Sequence, residues 1–357
     1  MDAPLHGTTP VNPLFAGVGG AFTLPGEERT LGIDLVNNAT GEPEGVDEGG
    51  FAIGDGIPEE SGEYFLNFPS LISSRSVWMQ AVCDLALLTA DRPVVAAGVF
   101  TRNRVCGAPV KVSRQRVPST AVRAVVINSG NANACTGERG IDDARTMTSE
   151  VARELGCRPE EVLVCSTGVI GHFLPIEKIT AGIPRAVAAL GETVEAFEGA
   201  ARAMLTTDTV TKQSGRELVL SGGKCRVSGV AKGAAMIGPN MATMLSVVTT
   251  DAAVPPGQLQ QLLVRAVGRS FNCCTIDGDM STSDTVILMA NGDNRGQLGQ
   301  NDYDVLYKGI EFACRQMAQA IARDAEGSSK LIAIFVRGAA TEADARQIGI
   351  SVANSSL

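Results

Sequence analysis

Histidine is almost absent from this 357-residue chain, which holds only His6 and His172. That scarcity excludes a His-rich metal site, and any Ser-His-Asp or Cys-His triad would have to use one of the two. His6 lies in a Pro/Gly-rich terminus, and His172 follows Gly171 in a loop, the setting of a surface histidine rather than a general base. Aromatic residues are also scarce (1 Trp, 3 Tyr and 11 Phe), and the formal net charge is -9. Nucleic acid wants basic surface and stacking platforms, so both counts argue against it. No apolar run approaches the roughly 18 residues that a membrane-spanning helix needs. The first thirty residues set Asp2, Glu27 and Glu28 against the single Arg29, which fits neither a signal peptide nor an Arg-rich transit peptide.

The nine cysteines are odd in number and contain no CxxC. The adjacent Cys273 and Cys274 suit neither a zinc knuckle nor an ordinary disulfide. A reducing, cytoplasmic compartment is expected, with a mitochondrial or plastid setting as the alternative. Cys135, Cys165 and Cys225 sit among apolar or small residues and read as buried small hydrophobes. Gly223-Lys224-Cys225 lacks the hydroxyl of a phosphate loop, and no GxGxxG opens a helix, so a dinucleotide site has no support. The run from Asp277 to Asp284 lacks the glycine and the bidentate glutamate of a calcium loop.

What is present is a chain 44% hydrophobic, long enough to bury a large core. Residues 1–78 are rich in Gly, Pro, Asp and Glu without sustained periodicity and read as a poorly ordered extension. From Trp78 onward the pattern becomes regular. Asp84–Leu88 and Val94–Phe100 read as two strands joined by a turn at Asp91-Arg92-Pro93. Ala124–Asn128 and Val162–Cys165 are further strands. Ile141, Ala144, Met147, Val151 and Leu155 recur at helical spacing, with Gly156 where a helix ends. Helices are expected over 176–190, 192–205 and 258–267 and through Leu306–Ile321, and strands over 285–289 and 331–336. Helices and strands mix without strict alternation, so the fold class is α/β with α+β character.

The stretch Val230–Asp251 organises the chain. A Gly238-Pro239-Asn240 turn delivers Ala242-Thr243 onto a β-branched run that reads as a strand. Such a turn can present a hydroxyl nucleophile. By itself, though, a threonine entering a strand is more simply explained by the fit of β-branched side chains to a pleated sheet.

Several segments together resemble the ornithine acetyltransferase family, the bifunctional enzymes of arginine biosynthesis that make N-acetylglutamate. They are Ala97–Arg104, Asn128–Gly137, Cys165–Gly171, Thr206–Thr209, Ala231-Lys232-Gly233, Pro239–Leu245, Asp277-Gly278-Asp279, Ser281–Thr285 and Glu326-Gly327 with Lys330, in the family's order. The resemblance implies a self-processing protein with an N-terminal nucleophile, cut between Ala242 and Thr243. An α chain (79–242) would end at Ala242 and a β chain (243–357) would start at Thr243. It implies that Thr167 and Gly168 form an oxyanion hole, and that Thr206, Thr207, Lys232, Thr243 and Glu326 bind substrate. The implied substrates are N-acetylornithine and glutamate, with no cofactor in the recycling reaction and acetyl-CoA as a further donor in some members. No metal, nucleic acid or membrane is implied, and assembly as a homo-oligomer of αβ units is. The scheme suits a chain short of histidine, because a new α-amine near pKa ~8 can serve as the base of its own threonine.

Against the family's pattern the sequence stops short at its C-terminal end, so a truncated member is expected. Two rival readings stand beside the transferase: an aminopeptidase or amidase using the same nucleophile, and an inactive, unprocessed relative.

Overall fold

In the computed structural model the described residues are 20–23, 30–37, 51–52, 77–82, 84–238, 244–294 and 298–355. Two compact units share the chain: residues 1–64 with 327–357, and residues 65–326. In the first unit, β1 (Gly20–Thr23), β2 (Thr30–Asn37) and β3 (Phe51–Ala52) join a strand from the far end of the chain, Ile332–Arg337. The order is β1, β2, the 332–337 strand, then β3, all antiparallel. A helix over Glu342–Ala353, capped by the Thr341 hydroxyl, packs Ala345 on Ile334 and Val336. Strands therefore occur within the stretch expected to be unpatterned. The 242/243 boundary expected from the resemblance is a cleavage position and coincides with no division between compact units.

The second unit carries β4 (Val77–Val82), β5 (Leu85–Phe100), α1 (Ala108–Arg114), β6 (Ser119–Asn128), α2 (Gly137–Leu155), β7 (Val162–Ser166), α3 (Ile176–Ala188) and α4 (Val194–Ala203). It continues with β8 (Lys212–Leu220), β9 (Gly223–Lys232), β10 (Leu245–Ala252), α5 (Pro256–Gly268), β11 (Thr285–Asn294) and α6 (Gln300–Arg323). The strand and helix that close the chain in the first unit are then β12 and α7. Strand order is β7-β6-β5-β11-β10-β9-β8, with β4 added beside β5. Two pairs, β6 with β7 and β10 with β11, are parallel, and each is bridged by a helix, α2 and α5. The other pairs are antiparallel.

Alternation along the strands sorts side chains into layers. In β7, Val162 and Val164 pack toward α1, α2 and α3, while Leu163 and Cys165 enter a second cluster. That second cluster also receives Leu245, Val247, Ile287 and Met289 from β10 and β11, so the two halves of the sheet pack face to face. The opposite faces of β10 and β11, with Val248, Val286 and Leu288, meet α5 and α6. Helix, sheet, sheet and helix thus stack in four layers, joined through the long β5. Where two strands and a turn were expected, β5 is one strand. Its pairing shifts register between Thr89 and Val94, and Asp91 and Pro93 lie exposed at the irregularity.

Helix α2 ends as its sequence demands. Gly156 adopts φ 64°, and the Gly156 and Cys157 N–H groups turn back onto Arg153 and Ala152 carbonyls. Among the described residues no helix is long and apolar enough to cross a membrane. Cys165 and Cys225 are buried as expected, but Cys135 is exposed, in a left-handed turn at φ 60° that lifts it off the core.

Candidate active site

One end of the sheet collects the chemistry. Lys232 pairs with Leu245, Leu245 with Thr285, and Thr285 with Phe100, in a single row across β9, β10, β11 and β5. Just outside this row come Gly233, Met244, Asp284 and Thr101. The end of β7, carrying Thr167 and Gly168, reaches the same place from the other half of the sheet.

Lys232 joins the two halves. Its side chain is 3% exposed. Its Nζ donates to Thr206 Oγ1 at 2.7 Å and to Thr167 Oγ1 at 3.3 Å. Each hydroxyl accepts from the lysine, so each has its own proton left to donate elsewhere. Burial lowers the lysine's pKa, and the Asp208 charge opposes that shift.

Asp208 is the hub, and nothing in the sequence marks it beyond its place in Thr206–Thr209. Its side chain is fully buried. Oδ1 accepts from Lys212 Nζ at 2.5 Å and from Gly233 N–H at 2.6 Å, while Oδ2 accepts Thr206 N–H at 3.1 Å. Lys232 Nζ stands 3.6 Å from Oδ2. Burial pushes the Asp208 pKa up, but the Lys232 charge, the Lys212 hydrogen bond and the Gly233 N–H outweigh it and hold the carboxyl below its usual range. Lys212, wholly buried, also pairs with Asp324 just past α6. Asp324 in turn accepts the Thr209 and Val210 N–H groups. One charged chain, Lys232–Asp208–Lys212–Asp324, thereby fixes the 206–210 loop, the end of β9 and the end of α6.

The loop after β7 is shaped by glycine. Gly168 sits at φ +130°, and a Cβ there would lie 2.2 Å from the Gly130 carbonyl carbon. Thr167 N–H is committed to Asn128 O at 3.0 Å, leaving its hydroxyl as the group to face a ligand. No hydrogen bond among the described residues engages Gly168 N–H.

The structure thus brings together Thr167, Thr206 and Lys232, with Gly168 adjoining. Thr207 is exposed and is not joined to Lys232, so the paired threonines have different surroundings. Glu326 is exposed, and its N–H donates to Ala234 O at 2.8 Å, two residues from Lys232. Ala242 and Thr243 lie outside the described residues, as do Pro239 and Asn240 of the expected Gly238-Pro239-Asn240 turn. Met244, the next residue, is anchored: its N–H donates to Asp284 Oδ1 at 3.1 Å, and its carbonyl accepts Thr285 N–H at 3.1 Å. Ahead of the turn, Asp277 accepts Met236 N–H at 2.5 Å and Ile237 N–H at 2.8 Å and also binds Asp279 N–H. Both of its oxygens therefore serve the loop, with Met236 held at φ 57°. His172 is exposed, as its loop position suggested.

Four layers built on a mixed sheet, with a buried lysine set between threonine hydroxyls at the sheet's end, define an α/β enzyme. The ArgJ family pattern matches residues 74–357. The chain is 48% identical over 280 residues to the arginine biosynthesis bifunctional protein ArgJ of Geobacter sulfurreducens, covering 77% of this chain and 70% of that one. It is 47% identical over 277 residues to the protein of the same name from Caldanaerobacter subterraneus, covering 77% and 68%. Identity is 40% over 308 residues with the mitochondrial ArgJ protein of Schizosaccharomyces japonicus, covering 84% and 71%. This chain belongs to the ArgJ family. Among solved structures it is similar to ArgJ of Bacillus halodurans, with a TM-score of 0.46 and 38% identity over 48% of this chain and 94% of that one. The ornithine acetyltransferase of Mycobacterium tuberculosis, complexed with ornithine, gives a TM-score of 0.45 at 38% identity, covering 47% and 94%.

Proposed function

We propose that this chain is a glutamate N-acetyltransferase that moves acetyl from N-acetylornithine to glutamate through Thr243, after cutting itself between Ala242 and Thr243. The observation that carries the reading is Lys232 donating to the hydroxyls of both Thr167 and Thr206, a donor-rich corner beside Leu245 at the start of β10.

In this scheme the Thr243 hydroxyl attacks the acetyl carbonyl while the α-amine of the same residue takes its proton. The Thr167 hydroxyl and the Gly168 N–H stabilise the oxyanion, a role in which removing one donor typically costs about 10² to 10³ in turnover. Ornithine leaves with that proton, and the acetyl group stays on Thr243 as an ester. The glutamate amine then attacks the ester and frees the hydroxyl. Lys232 and Thr206 hold the substrate's α-carboxylate, with Thr207 beside them, and Glu326 meets the ornithine side-chain ammonium.

The acetyl group travels on the protein, so the recycling reaction needs no cofactor, and acetyl-CoA is a second donor to be tested. Pairs of cut αβ units form the working assembly, in the cytoplasm. The relative from Schizosaccharomyces japonicus is mitochondrial by name, and that compartment is the alternative.

The test is Thr243→Ala, followed by glutamate-dependent loss of acetyl from N-acetylornithine. The variant is expected to remain one chain and to transfer nothing. Transfer by that variant would remove Thr243 from the mechanism, and release of acetate to water without glutamate would favour a hydrolase instead.

A further inference from the structure

The loop after β7 cannot be held in shape by packing alone. Gly168 and Val169 are exposed, and so is the stretch Gly171–Phe173. Its frame comes instead from the loop after β6. Asn131 forms one backbone bridge to Thr167 and another to Val169. Ala132 N–H donates to Val169 O at 3.0 Å, Val169 N–H to Gly130 O at 3.2 Å, and Gly171 N–H to Ala134 O at 2.9 Å. Asn128 secures the root of both loops. Its Nδ2 donates to Asn131 O at 2.9 Å, and its own carbonyl takes Thr167 N–H at 3.0 Å.

One side chain ties the far end of the loop back to the same place. Asn131 Nδ2 donates to Phe173 O at 3.1 Å and to His172 O at 3.3 Å. Its Oδ1 accepts Asn133 N–H at 2.8 Å, so both ends of the amide are used. The backbone of Asn131 is also the surface on which Gly168 rests. A Cβ on Gly168 would lie 2.5 Å from Asn131 N and 2.2 Å from the Gly130 carbonyl carbon. Asn131 therefore meets the loop before, at and after Gly168. The Gly168 N–H, which enters no hydrogen bond among the described residues, takes its direction from this frame.

We propose that Asn131 is a positioning residue for acetyl transfer: it aims Gly168 N–H, and Thr167 beside it, at the point where negative charge develops. The role rests on the reading of Thr167 and Gly168 as oxyanion donors. Such donors are effective because they are fixed before the reaction begins. A misplacement of about 1 Å can cost about 10²-fold in rate. The carbonyls that Asn131 holds belong to exposed residues, where water can replace a lost hydrogen bond. Loss of the amide should therefore be felt in turnover and not in the stability of the fold.

Two full-chain variants test the role, with kcat and KM for N-acetylornithine counted per cut chain. Asn131→Ala removes both donors. Asn131→Asp keeps the shape and the acceptor for Asn133 N–H, but sets a carboxylate oxygen against the His172 and Phe173 carbonyls. Both variants are expected to be cut and to melt close to wild type. Both should turn over about 100-fold more slowly with KM unchanged, the pattern of an interaction made only in the transition state. Turnover near wild type in either variant, or a loss carried by KM, overturns the proposal. A variant that stays uncut or unfolds without cooperativity overturns it too, by showing that Asn131 acts on the whole fold. Gly168→Ala separates the two levels of the argument. If it is slow while Asn131→Ala is fast, the positioning role alone fails; if it turns over normally, the oxyanion reading fails and this role falls with it.

Discussion

A lysine almost excluded from water must be matched by its surroundings, and Lys232 is matched by two hydroxyls and a nearby carboxylate. Hydrogen bonds to charged groups are worth about 1.5–3 kcal/mol. On that scale Lys232→Ala should raise the Michaelis constant for N-acetylornithine by roughly 10- to 150-fold while slowing self-cleavage far less. Steady-state kinetics beside a cleavage time course checks this, and an unchanged constant would discard the binding role. Lys232, Thr206 and Thr167 were legible because each stands in a short stretch of matching sequence. The roles of Asp208 and Lys212 were not, although Asp208 stands in one of those stretches and the two are only four residues apart, because what distinguishes them is complete burial and contact with Lys232 and Asp324, remote in sequence. Asp208→Asn deprives Lys232 of its nearby carboxylate and leaves Lys212 with Asp324 alone. It should cost about 3–5 kcal/mol in chemical denaturation, the usual consequence of breaking a buried pair from one side.

At the scale of elements, the loop after β7 depends on one glycine. At Gly168 both the positive φ and the 2.2 Å approach of the Gly130 carbonyl carbon refuse a side chain. Gly168→Ala must therefore move the loop that carries Thr167. Turnover should fall by about 10² to 10³, the loss associated with a missing oxyanion donor, while cooperative unfolding persists. Near-normal turnover in this variant would separate the loop from catalysis. Most elements were legible from periodicity and punctuation: α2 with its Gly156 end, the strands at 124–128 and 162–165, and the long α6. β5 misled because Asp91-Arg92-Pro93 has the composition of a turn. In the fold it is an irregularity in a strand that serves both halves of the sheet, with Arg92 paired to Asp293 of β11.

At the largest scale, the four-layer stack of the 65–326 unit was beyond sequence reasoning. Strands buried on both faces lose the polar alternation that would reveal how they pair. Stacking also places buried acids of opposite habit close together, and their signs give a pH test. Against the effect of burial, Asp208 is held below the usual carboxylate range first by the Lys232 charge and then by Lys212, and Asp324 by its hydrogen bond from Lys212. Their stabilisation is present above about pH 3.9, the ordinary aspartate value, and is lost as pH falls through their lower folded values. Asp284 is raised, so its contribution is present below about pH 3.9 and is lost as pH rises toward its folded value. Melting curves should therefore show Asp208→Asn converging on wild type as the medium becomes acidic. Asp284→Asn should gain on wild type as pH climbs above about 4. Parallel curves for both variants would contradict the directions of these shifts.

The most direct measurement of the central claim is intact mass with N-terminal sequencing of the purified wild-type protein. Two chains are expected, one ending at Ala242 and the other beginning Thr243-Met244-Leu245. A single uncut chain that still moves acetyl from N-acetylornithine to glutamate would contradict the account.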